Sequence, residues 1–150
     1  MSTRIFYPAA APGVLRAMLG LSETLKGSAL EPELLELVHL RASQINGCAV
    51  CLDMHARALR ARGEDEIRLH VLPAWRETPF FSDRERAALA WTEAVTRLTG
   101  GEVADEVYEQ ARREFDEQEL AELTLAVVVI NGWNRLNIAF RTELVVPCAD

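Results

Sequence analysis

Residues 32–63 read PELLELVHLRASQINGCAVCLDMHARALRARG, and this stretch decides the fold. Pro32 stands where a first helical residue belongs, with Glu31 and Glu33 beside it. Acids there complement the positive end of a helix dipole. Leu34, Leu37, Val38, Arg41, Ala42 and Ile45 follow at helical spacing, and Gly47 ends the run. The next segment, Cys48 to Arg62, is rich in Ala, Leu and Arg, and Gly63 closes it. Two helices joined at one glycine predict an antiparallel hairpin with Cys48 at the start of its second arm.

The flanks carry the same punctuation. Upstream, Pro12 and Gly13 precede a helical pattern that runs to Gly27. Downstream, a short helix from Asp65 to Leu72 is stopped by Pro73, and residues 74–81 read as a loop holding Trp75, Phe80 and Phe81. That aromatic cluster is expected to pack rather than to bind substrate. Ser82 with Glu85, and Asp116 with Glu119, are capping boxes. They open helices running to Leu98 and to about Phe140, with a further amphipathic helix from Val103 to Phe115 between them. Leu144-Val145-Val146 and Val127 to Ile130 are the two strand-like runs, and the second lies inside a capped helical segment. Apolar on all faces, the run from Leu123 to Ile130 suits a core or subunit-interface helix. The expectation is an all-α fold of about seven helices, one domain over residues 1–150, with a CxxC at a helix N-terminus.

Composition narrows the function. Hydrophobic residues make up 49% and charged residues 26%, the balance of an ordinary globular protein. The net charge of -7 and the absence of a basic patch argue against nucleic acid and anionic membrane surfaces as partners. Pro8 and Pro12 interrupt the early apolar stretch, and the longest unbroken apolar run, Leu125 to Ile130, is far short of a bilayer span. We therefore expect a cytoplasmic protein. Three cysteines in such a chain point to chemistry at the close pair rather than to a disulfide framework. Cys148, in the tail after Pro147, reads as a spectator thiol.

Cys48, Cys51 and His55 fall on one face if a helix starts near Cys48. The free N–H groups and positive dipole of a helix start favour the thiolate, which is the reactive form. His55, one turn beyond Cys51, is placed to exchange protons with it, so Cys51 is assigned as the attacking cysteine and Cys48 as the resolving one. Glu36 lies eleven residues before Gly47 and His55 eight after it. At about 1.5 Å per residue the two differ by about 4 Å along antiparallel helices, a gap that side chains can close. A carboxylate there would orient the imidazole and strengthen it as a base. His39 and His70 have no cysteine at helical spacing and read as surface or core residues.

Glu36, Cys48 twelve residues on, Cys51 three further and His55 four further form a pattern that resembles the AhpD-like alkylhydroperoxidases of the carboxymuconolactone decarboxylase superfamily. The flanking words Arg41-Ala42-Ser43-Gln44-Ile45-Asn46-Gly47, Asp53-Met54-His55, Leu72-Pro73-Ala74-Trp75 and Arg84 to Glu93 are similar too. The resemblance covers roughly residues 10–145. It implies an all-helical fold, homo-oligomers (trimers or hexamers) and peroxide reduction through a redox disulfide; we expect small hydroperoxides as substrates and no metal or organic cofactor. It further implies catalytic roles for Glu36, Cys48, Cys51 and His55, and a dithiol reductant such as a lipoyl-bearing protein. Some members carry a histidine inside the CxxC, where this chain has Ala49 and Val50.

Three other readings use the same residues. One is a decarboxylase of the carboxymuconolactone type, which would not depend on a CxxC. Another is a non-enzymatic redox sensor or disulfide carrier. The third is a zinc site on Cys48, Cys51, His55 and Glu36, although the Cys–His spacing is short for a structural zinc site and no second CxxC exists.

Overall fold

Pro32 occupies the first turn of its helix as expected, and that helix lies at the centre of the molecule. A computed structural model describes residues 2–145. In chain order the helices are α1 (Tyr7–Ala10), α2 (Pro12–Lys26), α3 (Pro32–Asn46), α4 (Ala49–Ala61), α5 (Glu66–Val71), α6 (Asp83–Thr96), α7 (Asp105–Glu114) and α8 (Glu117–Phe140). A 3₁₀ turn, Leu72–Glu77, links α5 to the loop before α6. No strand occurs among the described residues, so the fold is all-α.

Both capping boxes form. The Glu85 amide donates to the Ser82 hydroxyl while the Ser82 amide donates to the Glu85 carboxylate at 2.7 Å. Asp116 and Glu119 repeat the exchange at 2.8 and 3.0 Å. Helix α3 owes its central place to apolar residues on more than one face. Leu34 and Val38 join a core with Trp91, Phe115, Leu123 and Val127 from α6–α8. Leu37 and Leu40 join a second with Leu59, Leu72, Trp75 and Leu89. Ala42 faces a third cluster holding Cys48, Cys51 and Ile130.

Three local expectations change. Pro8 does not simply break the chain. It sits in the first turn of α1, whose Tyr7 is buried with its ring 5.7 Å from that of Phe140. Residues 74–77, expected as loop, instead belong to a 3₁₀ turn begun at Leu72, because Pro73 sets a helical φ at its start and buried Trp75 anchors it. Leu144 and Val145 form no strand, and Val146, like Cys148, lies outside the described residues. Helix α8 is also more nearly continuous in hydropathy than its short unbroken apolar run suggested. Among the described residues it alone is long and apolar enough, by length and composition, to cross a membrane. Here it packs against α2, α3 and α6, and its asparagines reach the α3–α4 corner.

One buried ion pair ties α3 to α6. Arg41 and Glu93 are 8% and 6% exposed, and the Arg41 Nε donates to Glu93 at 2.8 Å. The Trp75 indole donates to the same carboxylate oxygen at 2.9 Å, and Arg76 reaches the other at 2.6 Å. Losing one partner of such a pair strands the other charge out of water. Glu93→Gln is therefore expected to cost about 3–5 kcal/mol, read as a lower urea midpoint with an unchanged slope. A change below about 1 kcal/mol would show that the network is not fully withdrawn from solvent.

Candidate active site

The site is built on the corner between α3 and α4. Gly47 takes φ +73°, the left-handed region that glycine enters without a Cβ penalty, and its amide donates to the Ser43 carbonyl at 2.9 Å. The Cys48 amide donates to the same carbonyl at 3.1 Å. An asparagine network from α8 clamps this turn. Asn46 Nδ2 donates to Asn134 Oδ1 at 2.8 Å and to Asn131 Oδ1 at 3.0 Å, and Asn134 Nδ2 donates to the Ser43 hydroxyl at 3.1 Å. The corner fixes Cys48 as the N-cap of α4, and Cys51 lies within the first turn.

Cys48 and Cys51 are joined as a disulfide, with Cα atoms 5.4 Å apart. They do not titrate in this form, so the acidity expected of a helix start belongs to the reduced protein. Both are more deeply buried than a freely accessible redox pair, at 1% and 0% exposure. Ala42, Ile130, Val50 and Trp133 surround them. Asn137 Nδ2 donates to Cys51 Sγ at 3.4 Å.

His55 and Glu36 meet across the hairpin. His55 Nδ1 and Glu36 Oε2 are 2.7 Å apart, and His55 is 7% exposed. Burial opposes the charge on Glu36, but the hydrogen bond and charge of His55 outweigh it and hold the carboxyl below its ordinary range. Because the Nδ1 side is committed to Glu36, the imidazole has one free nitrogen, Nε2, which is buried and without a partner.

His39, read from sequence as a plain surface or core residue, belongs to this group. It lies three residues after Glu36 on α3, and its ring centroid is 4.9 Å from that of His55. Both of its ring nitrogens are buried without a hydrogen-bond partner among the described residues. The Glu36-x-x-His39 spacing, which places two side chains on one helical face, was the available signal. One ligand atom each from Glu36, His39 and His55 falls within 4.8 Å of the other two. All three line a cavity of about 610 Å³, with Leu25, Leu30, Leu35 and Val129 on its apolar side. Ile130 and Trp133 line this cavity and also pack in the cysteine cluster, so the two environments share them. The four residues expected at the site are thus brought together as two pairs on one hairpin, Cys48–Cys51 and Glu36–His55. His70 stays apart, mostly exposed on α5.

Burial and the neighbouring His55 push the His39 pKa down to about 3, against the opposing pull of Glu36. The unfolded chain therefore binds a proton at His39 that the native state refuses between pH 6.5 and about 3. Stability from this group is full above that window and falls as the pH is lowered through it. His39→Gln should flatten the pH dependence of the urea midpoint across the window when both proteins are held in chelator. Parallel profiles for the two would show that His39 protonates freely in the native state.

Comparison with known proteins follows the same lines. The sequence model of the Carboxymuconolactone decarboxylase family matches residues 12–94. The uncharacterized protein YdfG of Bacillus subtilis (strain 168) is 40% identical over 139 residues, spanning 93% of this chain and 95% of its own. A protein of unknown function from Agrobacterium tumefaciens, named for the antioxidant defence protein AhpD, superposes with a TM-score of 0.93 at 38% identity. That superposition covers 97% of this chain and 99% of the other. An AhpD-core, peroxidase-related protein from Ralstonia eutropha JMP134 shares the fold at a TM-score of 0.80 and 19% identity, over 92% of this chain and 74% of its own. With its hairpin, its CxxC and these matches in agreement, this chain belongs to the carboxymuconolactone decarboxylase family and is of the AhpD-like kind.

Proposed function

We propose that this protein is a thiol-dependent peroxidase that reduces small alkyl hydroperoxides, or hydrogen peroxide, through the Cys48–Cys51 disulfide. The observation that carries the reading is the 2.7 Å Glu36–His55 pair, set one helical turn from Cys51. In the reduced protein His55 Nε2 takes the proton of the Cys51 thiol, and the resulting thiolate attacks the terminal oxygen of the peroxide. The O–O bond breaks, Cys51 becomes a sulfenic acid, and the leaving alkoxide takes a proton from His55 Nε2 to depart as an alcohol. The Cys48 thiol then attacks the sulfenic sulfur, forming the disulfide and releasing water. An external dithiol reduces the disulfide by exchange and becomes a disulfide itself.

Glu36 stabilises the imidazolium form of His55 while the ring carries the proton in transit. Asn137, donating to Cys51 Sγ, is suited to steady charge on that sulfur. The apolar wall of the cavity suits the alkyl part of a hydroperoxide, with the peroxide group toward His55. Burial of both sulfurs favours a slender reductant, such as the arm of a lipoyl-bearing protein, over the surface of a folded one. A cytoplasmic setting would supply such dithiols. Exposed apolar residues on α2 and α8, among them Leu19, Leu21, Val128 and Ile138, support a homo-oligomer, a trimer or hexamer by family resemblance.

Turnover of cumene hydroperoxide with a lipoyl dithiol tests the reading. Cys51→Ser should abolish it, and His55→Ala should lower it by about 10²- to 10⁴-fold. Cys48→Ser should consume one equivalent of peroxide and stall at the sulfenic acid. Full turnover by Cys51→Ser would reject the assignment. Lactone decarboxylation that survives that substitution would favour the decarboxylase, and oxidation of the wild-type thiols without turnover would favour the sensor.

A further inference from the structure

His39 poses a question that peroxide reduction does not answer. A neutral imidazole always presents one donor and one acceptor. Both nitrogens of His39 are buried, and neither has a partner. Leaving such groups unpaired costs free energy, and native structures rarely tolerate it without a reason. His55 Nε2 is unpaired as well, and both rings border the same cavity as the Glu36 carboxylate. The result is two imidazoles and one carboxylate, with one ligand atom each within 4.8 Å of the others, on residues that line a space of about 610 Å³.

We propose that Glu36, His39 and His55 form a divalent transition-metal site, with zinc its best match, at which a bound ion shuts off proton transfer by His55. Two imidazole nitrogens and one carboxylate oxygen are the donor set of open zinc sites, whose fourth position is taken by water. Water from the cavity would take that position once the side chains turn their nitrogens toward it. Ligand bonds of about 2.0–2.1 Å put tetrahedral donors about 3.3 Å apart, so rotation of the side chains has to draw the three atoms inward. The positive groups on the cavity wall do not oppose a cation strongly, because each has its own counter-charge. Lys26 pairs with Glu23 at 2.6 Å and Arg62 with Glu33 at 3.0 Å.

Either mode of binding at His55 stops its proton chemistry. An ion at Nε2 occupies the one free nitrogen. An ion at Nδ1 replaces the proton shared with Glu36 and takes the carboxylate as well. This site differs from a thiolate zinc site on the CxxC, because it persists when the cysteines are joined. Binding rests on the three side chains alone, and only its inhibitory consequence rests on the peroxidase reading.

The test uses full-length Cys148→Ser protein, oxidised to the Cys48–Cys51 disulfide and stripped with chelator, so that no thiol can bind metal. Equilibrium dialysis with zinc should give one ion per chain. Cobalt should give the visible absorption of a nitrogen- and oxygen-ligated ion without a thiolate charge-transfer band. His39→Ala and His39→Gln should each weaken binding by about tenfold or more. No saturable binding, or equal binding in both variants, overturns the site. The inhibitory half is read separately, as the ratio of peroxide-driven Cys51 oxidation rates with and without one equivalent of zinc. That ratio should fall well below one in the reduced Cys148→Ser protein and return toward one when His39→Ala is added. An equal ratio in both proteins overturns the inhibition, whereas a protein that binds zinc but never reacts with peroxide leaves the site standing and refutes the peroxidase.

Discussion

The hydrogen bond between Glu36 and His55 depends on a single turn. It joins residues nineteen positions apart on two helices, at 2.7 Å, and it exists because Gly47 reverses the chain without a spacer. Any side chain at Gly47 would strain a left-handed backbone, and an added residue would shift α4 along α3 and carry His55 away from the carboxylate. The asparagines of α8 then hold the turn in place through side-chain amides. Position of the cysteines, orientation of the imidazole and closeness of α3 to α8 are three consequences of this one corner.

Around the corner the molecule keeps its reactive groups in different surroundings. The disulfide lies in an apolar cluster, while the carboxylate and the two histidines face open space. Ile130 and Trp133 belong to both surroundings. Such a partition buries the sulfurs while Glu36, His39 and His55 border a cavity. Helix α3 supports both environments, since its apolar faces enter every core cluster while Glu36 and His39 look the other way into the cavity.

Much of this was legible in the sequence, for identifiable reasons. Capping boxes at Ser82 and Asp116, Pro32 at a helix start and Gly47 at a helix end are local signals, and local signals set local structure. The Glu36–His55 contact was also within reach, because antiparallel helices sharing a tight corner permit a ladder of distances. What escaped was tertiary. Nothing near His39 in sequence tells that its ring packs on His55, although its spacing from Glu36 hinted at a shared face. Asn137 is eighty-six residues from the sulfur it meets, and only the docking of α8 brings them together. The depth of the disulfide was missed for the same cause: α8 supplies the lid, and a helix start viewed in isolation looks open. Residues 72–77 became a 3₁₀ turn because Trp75 found a buried acceptor on α6, a partner the loop's own composition could not announce.

If Glu36 acts only by positioning His55, the two form one unit and their losses will not add. Stopped-flow measurement of Cys51 oxidation by a hydroperoxide in wild type, Glu36→Gln, His55→Ala and the double variant tests this directly. The double variant should react no more slowly than His55→Ala alone. Independent, multiplying losses would mean that the carboxylate and the imidazole serve separate ends, and that their hydrogen bond is not the relay at the heart of this site.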